Sequence, residues 1–222
     1  MNKELNSRIF SKDYAIDRQE QLRLDSITSL VGRGKEVLDV GCRDGTISKI
    51  IEHKGNKVET VEISDYSIRK AREKGLVVYD LDLNTQWAEC IPKDYDVVFA
   101  GEVLEHIFET DSFLQNIRKV LKPGGFLVLS TPNLASLGRR ILLLFGMNPV
   151  MELTTRDNQA GHVRYFVFKS LKTILNDNGF SIVEFTSDVV NFNFNGTLCS
   201  NRLAKLVPTL GRSLIIKAAK DD

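Results

Sequence analysis

The spacing of hydrophobic positions changes repeatedly along this chain, and each change marks an element. From about 13 to 31, Ile16, Leu22, Leu24, Ile27 and Leu30 recur among charged residues at near-helical intervals, which predicts an amphipathic leading helix. Glu36-Val37-Leu38-Asp39-Val40 then forms a short, nearly continuous apolar run, the mark of a buried strand. Gly41-Cys42-Arg43-Asp44-Gly45 interrupts it, and Ile47, Ile50 and Ile51 restart the helical spacing. Further strands are predicted over 58–63, 76–79, 96–100, 126–130, 181–185 and 213–218. Helical patterns lie between them. Ser64 or Asp65 caps one that runs through Ile68 and Ala71 to Gly75; Phe113, Ile117, Val120 and Leu121 mark another, ended by Pro123-Gly124-Gly125. Leu171, Ile174 and Leu175 mark a third that stops near Gly179.

Alternating strands and helices predict an α/β fold: one doubly wound, mostly parallel sheet of seven strands, with right-handed crossovers and a helical insertion after the fifth strand. The whole of 1–222 reads as one domain, because this length supports one core and not a second of comparable size. Ligands of such sheets sit beyond the carboxyl ends of the strands.

Composition narrows the class. Hydrophobic residues at 42% and charged residues at 27% are ordinary for a soluble globular chain. A formal net charge of +1 argues against a dedicated nucleic-acid binder, so no DNA partner is expected. Cys42, Cys90 and Cys199 are far apart and odd in number, which points to a reducing compartment. With no signal-type start and no apolar run long enough to cross a bilayer, the expectation is a cytoplasmic protein.

The strand tips carry the candidate chemistry. Strand one ends in Asp39 and a glycine turn, where backbone N–H groups can approach a ligand closely. Strand two ends at Glu62-Ile63, 23 residues after Asp39, so Glu62 is placed to accept hydrogen bonds from ribose hydroxyls. Asp82-Leu83 follows strand three and offers an acceptor for an adenine amino group. Together they describe an adenosine-shaped site without phosphate recognition. A nicotinamide enzyme would want glycines at the first, third and sixth turn positions, and here those are Gly41, Arg43 and Thr46.

Val37-Leu38-Asp39-Val40-Gly41-Cys42-Arg43-Asp44-Gly45 resembles the first motif of the class I methyltransferases that use S-adenosylmethionine. Lys119-Val120-Leu121-Lys122-Pro123-Gly124-Gly125-Phe126-Leu127 resembles the helix and turn before their fifth strand, and Val103-Leu104-Glu105-His106-Ile107 the segment after their fourth. The ordered set spans roughly 23 to 185. The resemblance implies a Rossmann-like methyltransferase fold and an S-adenosylmethionine site formed by Asp39, Gly41, Cys42, Arg43, Gly45, Glu62, Ile63, Asp82, Leu83 and Gly101. Arg23 resembles an arginine that holds the cofactor carboxylate in ubiquinone-biosynthesis O-methyltransferases; a solvated helix charge is the competing reading. Arg43 departs from the family, which usually has glycine there. Either the turn tolerates a side chain, or Arg43 reaches the cofactor or substrate carboxylate, or the chain is a non-catalytic scaffold.

The methyl acceptor belongs after the fourth strand, at Gly101-Glu102-Val103-Leu104-Glu105-His106. Glu102, Glu105 and His106 stand at i, i+3 and i+4, so one helical turn would align them, and His162 follows later in Gly161-His162-Val163-Arg164-Tyr165-Phe166. Glu105, His106 and His162 are therefore the candidate catalytic groups. Glu102, Glu105, His106 and His162 are also a candidate set of ligands for a divalent metal that would acidify a hydroxyl. A histidine acting as base, or a hydrogen-bonding pair with no metal, accounts for the same residues.

After Thr131-Pro132-Asn133, an insertion over about 134–160 carries Leu134, Leu137, Ile141, Leu144 and Phe145 near helical spacing, with Arg139 and Arg140 elsewhere on the turn. It reads as a lid over the acceptor pocket, as an interfacial helix giving peripheral membrane contact through 134–150, or as a dimer surface. The oligomeric state stays open. The expected reaction is O-methylation of a small-molecule hydroxyl on a sugar, isoprenoid or quinone precursor. An RNA 2′-O-methyltransferase and a non-catalytic adaptor are the alternatives.

Overall fold

The computed structural model describes residues 16–149, 161–193 and 197–221. Helix α1 (Arg18–Val31) starts where Asp17 accepts the Glu20 N–H at 2.8 Å, and ends at Gly32 with φ 82°. Its apolar side, Leu24, Ile27, Leu30 and Val31, is buried. Then come β1 (Glu36–Val40), α2 (Thr46–His53), β2 (Lys57–Glu62), α3 (Asp65–Glu73), β3 (Val77–Asp80) and β4 (Tyr95–Gly101). Ser64 caps α3 by accepting the Ser67 N–H. Helix α4 (Thr110–Val120), β5 (Leu121–Pro132), α5 (Leu137–Leu144), α6 (Phe168–Asp177) and β6 (Phe180–Thr186) follow. The last elements are the two-residue strands β7 (Val190–Asn191) and β8 (Cys199–Ser200), α7 (Asn201–Leu206) and β9 (Ser213–Lys220).

All seven expected strands form one sheet in the order β3-β2-β1-β4-β5-β9-β6. Neighbours from β3 through β5 are parallel, and β9 runs antiparallel to both β5 and β6. Strand β5 starts earlier than its apolar run suggests. Leu121 pairs with Tyr95, and a register shift before Val97 accommodates the Pro123-Gly124-Gly125 turn within the strand. The β7–β8 ribbon has no mark in the sequence, since two-residue strands leave no periodic signal.

Helices cover both faces of the sheet, which explains the continuous apolar runs. On one face Leu38, Val98 and Leu127 pack with Phe113, Leu114 and Ile117 of α4 and Leu171 and Leu175 of α6. On the other, Val37, Val97, Phe99 and Val128 pack with Ile27, Leu30 and Ile51 from α1 and α2. The order reverses at β1, whose neighbours are β2 and β4, so a crevice opens beyond the carboxyl ends of these strands. No helix among the described residues is long and apolar enough to cross a membrane.

Candidate active site

A cavity of about 510 Å³ fills this crevice, within the range of small-molecule sites. Of the residues expected to form a cofactor site, Arg23, Asp39, Gly41, Cys42, Arg43, Glu62, Ile63, Asp82, Leu83 and Gly101 line it. Gly45 does not. It sits at φ 78° as the N-cap of α2, where an added Cβ would lie 2.5 Å from Leu76 Cδ1, so it shapes the turn from behind.

The β1–α2 turn differs from expectation in where its N–H groups go. Gly41 and Cys42 donate to the Val61 carbonyl at 2.8 and 3.2 Å, Gly45 to the Cys42 carbonyl at 3.0 Å, and Thr46 to Asp44 Oδ1 at 3.1 Å. Arg43 N–H donates to Glu62 Oε2 at 2.8 Å. These donors close the turn on itself and on the tip of β2 rather than converging on a ligand. That suits a site with no phosphate to bind. Gly41 is required: its φ is 81°, and a Cβ there would lie 2.6 Å from Val103 Cγ2.

Glu62 accepts from Ile63 and Ser64 N–H through Oε1, at 2.8 and 2.9 Å, as well as from Arg43 through Oε2. An ionised carboxylate offers about four acceptor sites, so Oε2 retains one. Burial raises the Glu62 pKa against the pull of these N–H groups. Asp39 lies deeper, and its Oδ2 accepts from Ser48 Oγ at 2.6 Å. Burial pushes its carboxyl up to about 7. Asp82 Oδ1 accepts from Asn84 N–H at 2.9 Å, which sets the loop after β3.

The far end of the cavity holds the acceptor-side candidates. Glu102 has φ 55°, a left-handed conformation that breaks helical continuity, and only a single 3₁₀ turn follows at Leu104–His106. The expected alignment of Glu102, Glu105 and His106 therefore fails. Glu102 turns instead toward Arg23 and Ser130: Arg23 donates to Glu102 Oε1 at 3.3 Å and to Ser130 Oγ at 2.7 Å, and Ser130 Oγ donates to Glu102 Oε1 at 2.9 Å. Glu20 completes the clamp on the Arg23 guanidinium. Arg23 is thus no solvated helix charge, being 3% exposed at the cavity wall.

Glu105, His106 and His162 do come together, with potential ligand atoms within 4.8 Å of one another. The two imidazole rings are 4.9 Å apart and both line the cavity. Glu105 does not line it. Its side chain is buried, Oε2 accepts from Thr131 Oγ1 at 2.9 Å, and Oε1 has no hydrogen-bond partner among the described residues and lies 3.8 Å from His162 Nε2. Burial and the charge of Glu102 hold the Glu105 carboxyl well above the usual range. The Glu105 main-chain carbonyl accepts the N–H groups of Val163 and Arg164, at 2.9 and 3.1 Å, and Arg164 bonds the Ile107 and Phe108 carbonyls. These bonds bring His162 to the cavity from a distant part of the chain.

Sequence reasoning missed Glu20, Asn84, Phe99, Arg139, Arg212 and Ser213, all of which line the cavity. Ser213 opens β9 and Arg212 precedes it; nothing local marks a late strand as reaching this site. In the sequence Arg139 is no more than a charge on the insertion helix. It now touches the cavity while donating to the Asn133 carbonyl at 3.0 Å. Residues 150–160 of the expected lid lie outside the described residues.

A doubly wound sheet with a strand-tip cavity, an acid at the tip of β2 and no phosphate cradle defines a class, and comparison with known proteins agrees with it. A family model described as a methyltransferase domain matches residues 14–185, and the chain belongs to that family. Among curated relatives, the ubiquinone biosynthesis O-methyltransferase of Azoarcus sp. (strain BH72) is 37% identical over 118 residues, 50% of this chain and 51% of the relative. The protein of the same name from Pseudomonas aeruginosa (strain LESB58) is 35% identical over 118 residues, again 50% of this chain and 51% of the relative. The chain thus matches about half the length of these relatives. Among solved structures, magnesium protoporphyrin IX methyltransferase from Synechocystis PCC 6803 with bound SAH superposes with a TM-score of 0.62 at 20% identity, covering 98% of this chain and 93% of that one. N-methyltransferase NodS from Bradyrhizobium japonicum WM9, in complex with S-adenosyl-L-homocysteine, gives 0.65 at 15% identity, covering 99% and 97%. At these identities the likeness is one of fold.

Proposed function

We propose that this chain transfers a methyl group from S-adenosylmethionine to a hydroxyl of a small molecule. The observation that carries the reading is that one cavity joins an adenosine-type half, around Glu62 and Asp82, to a half bearing two imidazoles, His106 and His162. The family and the names of the curated relatives support it. A quinone-precursor hydroxyl is favoured by those names, and sugar and isoprenoid hydroxyls share the same chemistry.

The residues fit such a cofactor. In this reading Glu62 Oε2, with an acceptor site left, binds a ribose hydroxyl, Asp82 binds the adenine amino group, and Ile63 and Leu83 supply apolar walls. In this reading the Arg23 guanidinium, at the cavity wall and held by Glu20, Glu102 and Ser130, hydrogen-bonds the methionine carboxylate. When bound, the cofactor supplies an electrophilic methyl carbon, to which the acceptor oxygen bonds as the carbon–sulfur bond breaks. In this reading His106 or His162, both at the cavity wall, takes the acceptor proton. Glu105 sits behind them: its main-chain carbonyl holds the segment that carries His162, by accepting the Val163 and Arg164 N–H groups.

Glu105, His106 and His162 also suit a divalent ion, since one carboxylate and two imidazoles are a common donor set and Glu105 Oε1 has no hydrogen-bond partner among the described residues. An ion there would acidify the acceptor hydroxyl. Metal analysis of the purified protein should find an ion that His162→Ala releases, and chelation should slow turnover. Full activity after complete demetallation would leave the histidines acting alone.

The central test is binding of S-adenosylhomocysteine by calorimetry. Glu62→Gln should weaken it by about 10- to 100-fold, the range for losing a hydrogen bond to a charged group, with the fold intact by circular dichroism. Absence of binding to the unaltered chain at millimolar ligand would mean a non-catalytic scaffold. Acceptors can then be ranked in a methyl-transfer assay on quinone-precursor, sugar-nucleotide and RNA panels.

A further inference from the structure

Two segments far apart in sequence share an unusual composition. Asp and Glu supply 29 of the 222 residues, yet none falls within 133–149 or 189–212. Those stretches carry Arg139, Arg140, Arg202, Lys205 and Arg212. They also hold much of the exposed apolar bulk: Leu143, Leu144, Phe145, Met147, Leu198 and Leu206 are between 46% and 80% exposed.

The fold places these segments side by side. Helix α5, with no buried residue, packs beside β7, which pairs with β8; α7 packs against β7 and the Pro208–Leu210 turn. Arg140 donates to the Thr209 carbonyl at 3.1 Å, and Asn133 Nδ2 donates to the Thr209 and Gly211 carbonyls at 3.0 and 2.8 Å. The surface so built adjoins the cavity, where Arg139 and Arg212 form part of the wall.

We infer that this surface docks on an anionic phospholipid bilayer, with the leucines, Phe145 and Met147 entering the headgroup boundary and Arg140, Arg202 and Lys205 facing lipid phosphates. Exposed apolar side chains beside Arg140, Arg202 and Lys205, on two stretches that carry no acid of their own, match the charge and polarity profile of such an interface; Arg212, paired with Asp188, adds no free charge to it. A second copy of the chain fits poorly, because a two-fold contact would set the same cations against one another. The docked orientation would bring the cavity wall at Arg139 and Arg212 close to the lipid, so an acceptor with an apolar tail could reach the cavity from the bilayer.

The test is flotation of the full chain with vesicles of phosphatidylcholine alone and of phosphatidylcholine mixed with phosphatidylglycerol. The chain should float with the mixed vesicles, and high salt should release part of it. The charge-reversal pair Arg202→Glu/Lys205→Glu and the apolar pair Leu144→Ser/Leu206→Ser should each reduce partitioning by about 10-fold or more, since each exposed cation near such a surface is worth roughly a 5-fold factor. Melting temperature and S-adenosylhomocysteine affinity should be unchanged in both variants, which separates this inference from the methyl-transfer reading. No partitioning into mixed vesicles, or partitioning untouched by both variants, overturns it. So does a concentration-dependent dimer that Leu144→Ser/Leu206→Ser dissociates.

Discussion

Arg43 occupies the left-handed region at φ 52°, where a side chain costs about 1–2 kcal/mol relative to glycine. The fold holds it there because its N–H is bonded to Glu62 Oε2. Part of that cost is offset by the greater freedom glycine would have in the unfolded chain. Arg43→Gly should therefore stabilise the protein by about 0.5–1 kcal/mol, a rise in melting temperature of roughly 1–4 °C. Calorimetry on the same variant decides what the side chain does: unchanged affinity for S-adenosylhomocysteine is expected, and a loss beyond about 10-fold would assign Arg43 a direct contact. Glu102 shows how far one dihedral reaches. Its own left-handed backbone takes it off the surface shared by Glu105 and His106 and gives it to Arg23 instead.

At the scale of elements, the bond between Asp39 and Ser48 ties the end of β1 to the first turn of α2, and so fixes the glycine turn between them. Burial raises the Asp39 pKa from 3.8 to about 7. The folded state thus holds a proton that the unfolded chain gives up. Between about pH 4 and pH 7 the unfolded state binds fewer protons, so stability falls as pH rises through this window. Asp39→Asn, a mimic of the protonated acid, should remove that loss. Urea unfolding of the cofactor-free protein should show the variant gaining on the wild type by up to a few kcal/mol from about pH 5 to about pH 8. A constant gap across the range would mean that Asp39 is ionised throughout. The insertion helix behaves differently from the sheet helices: α5 buries no residue, so its pattern fixed its helicity but not its partner.

Over the whole molecule, a formal net charge of +1 conceals an uneven distribution, because acids are absent from the two stretches that meet around α5 and α7. Net charge alone argued only about nucleic acids; local charge argues about a surface. The sequence by itself determined the sheet, its seven strands and the gathering of Glu62, Asp82 and Gly101 at the strand tips. Hydrophobic periodicity is local, and strand–helix alternation leaves few topologies. Tertiary structure alone decided which of these residues face the cavity. Glu105 looked accessible from its spacing, yet its carboxylate is sealed behind His162 against Thr131. Arg23 looked as well suited to solvent as to a ligand, until Glu102 and Ser130, 79 and 107 residues away, clamped it. Arg212 and Arg139 reached the site with no local signal. Pairings at such separations depend on how the chain returns to the sheet and on the backbone angles of single residues, and a repeating pattern of side-chain types encodes neither.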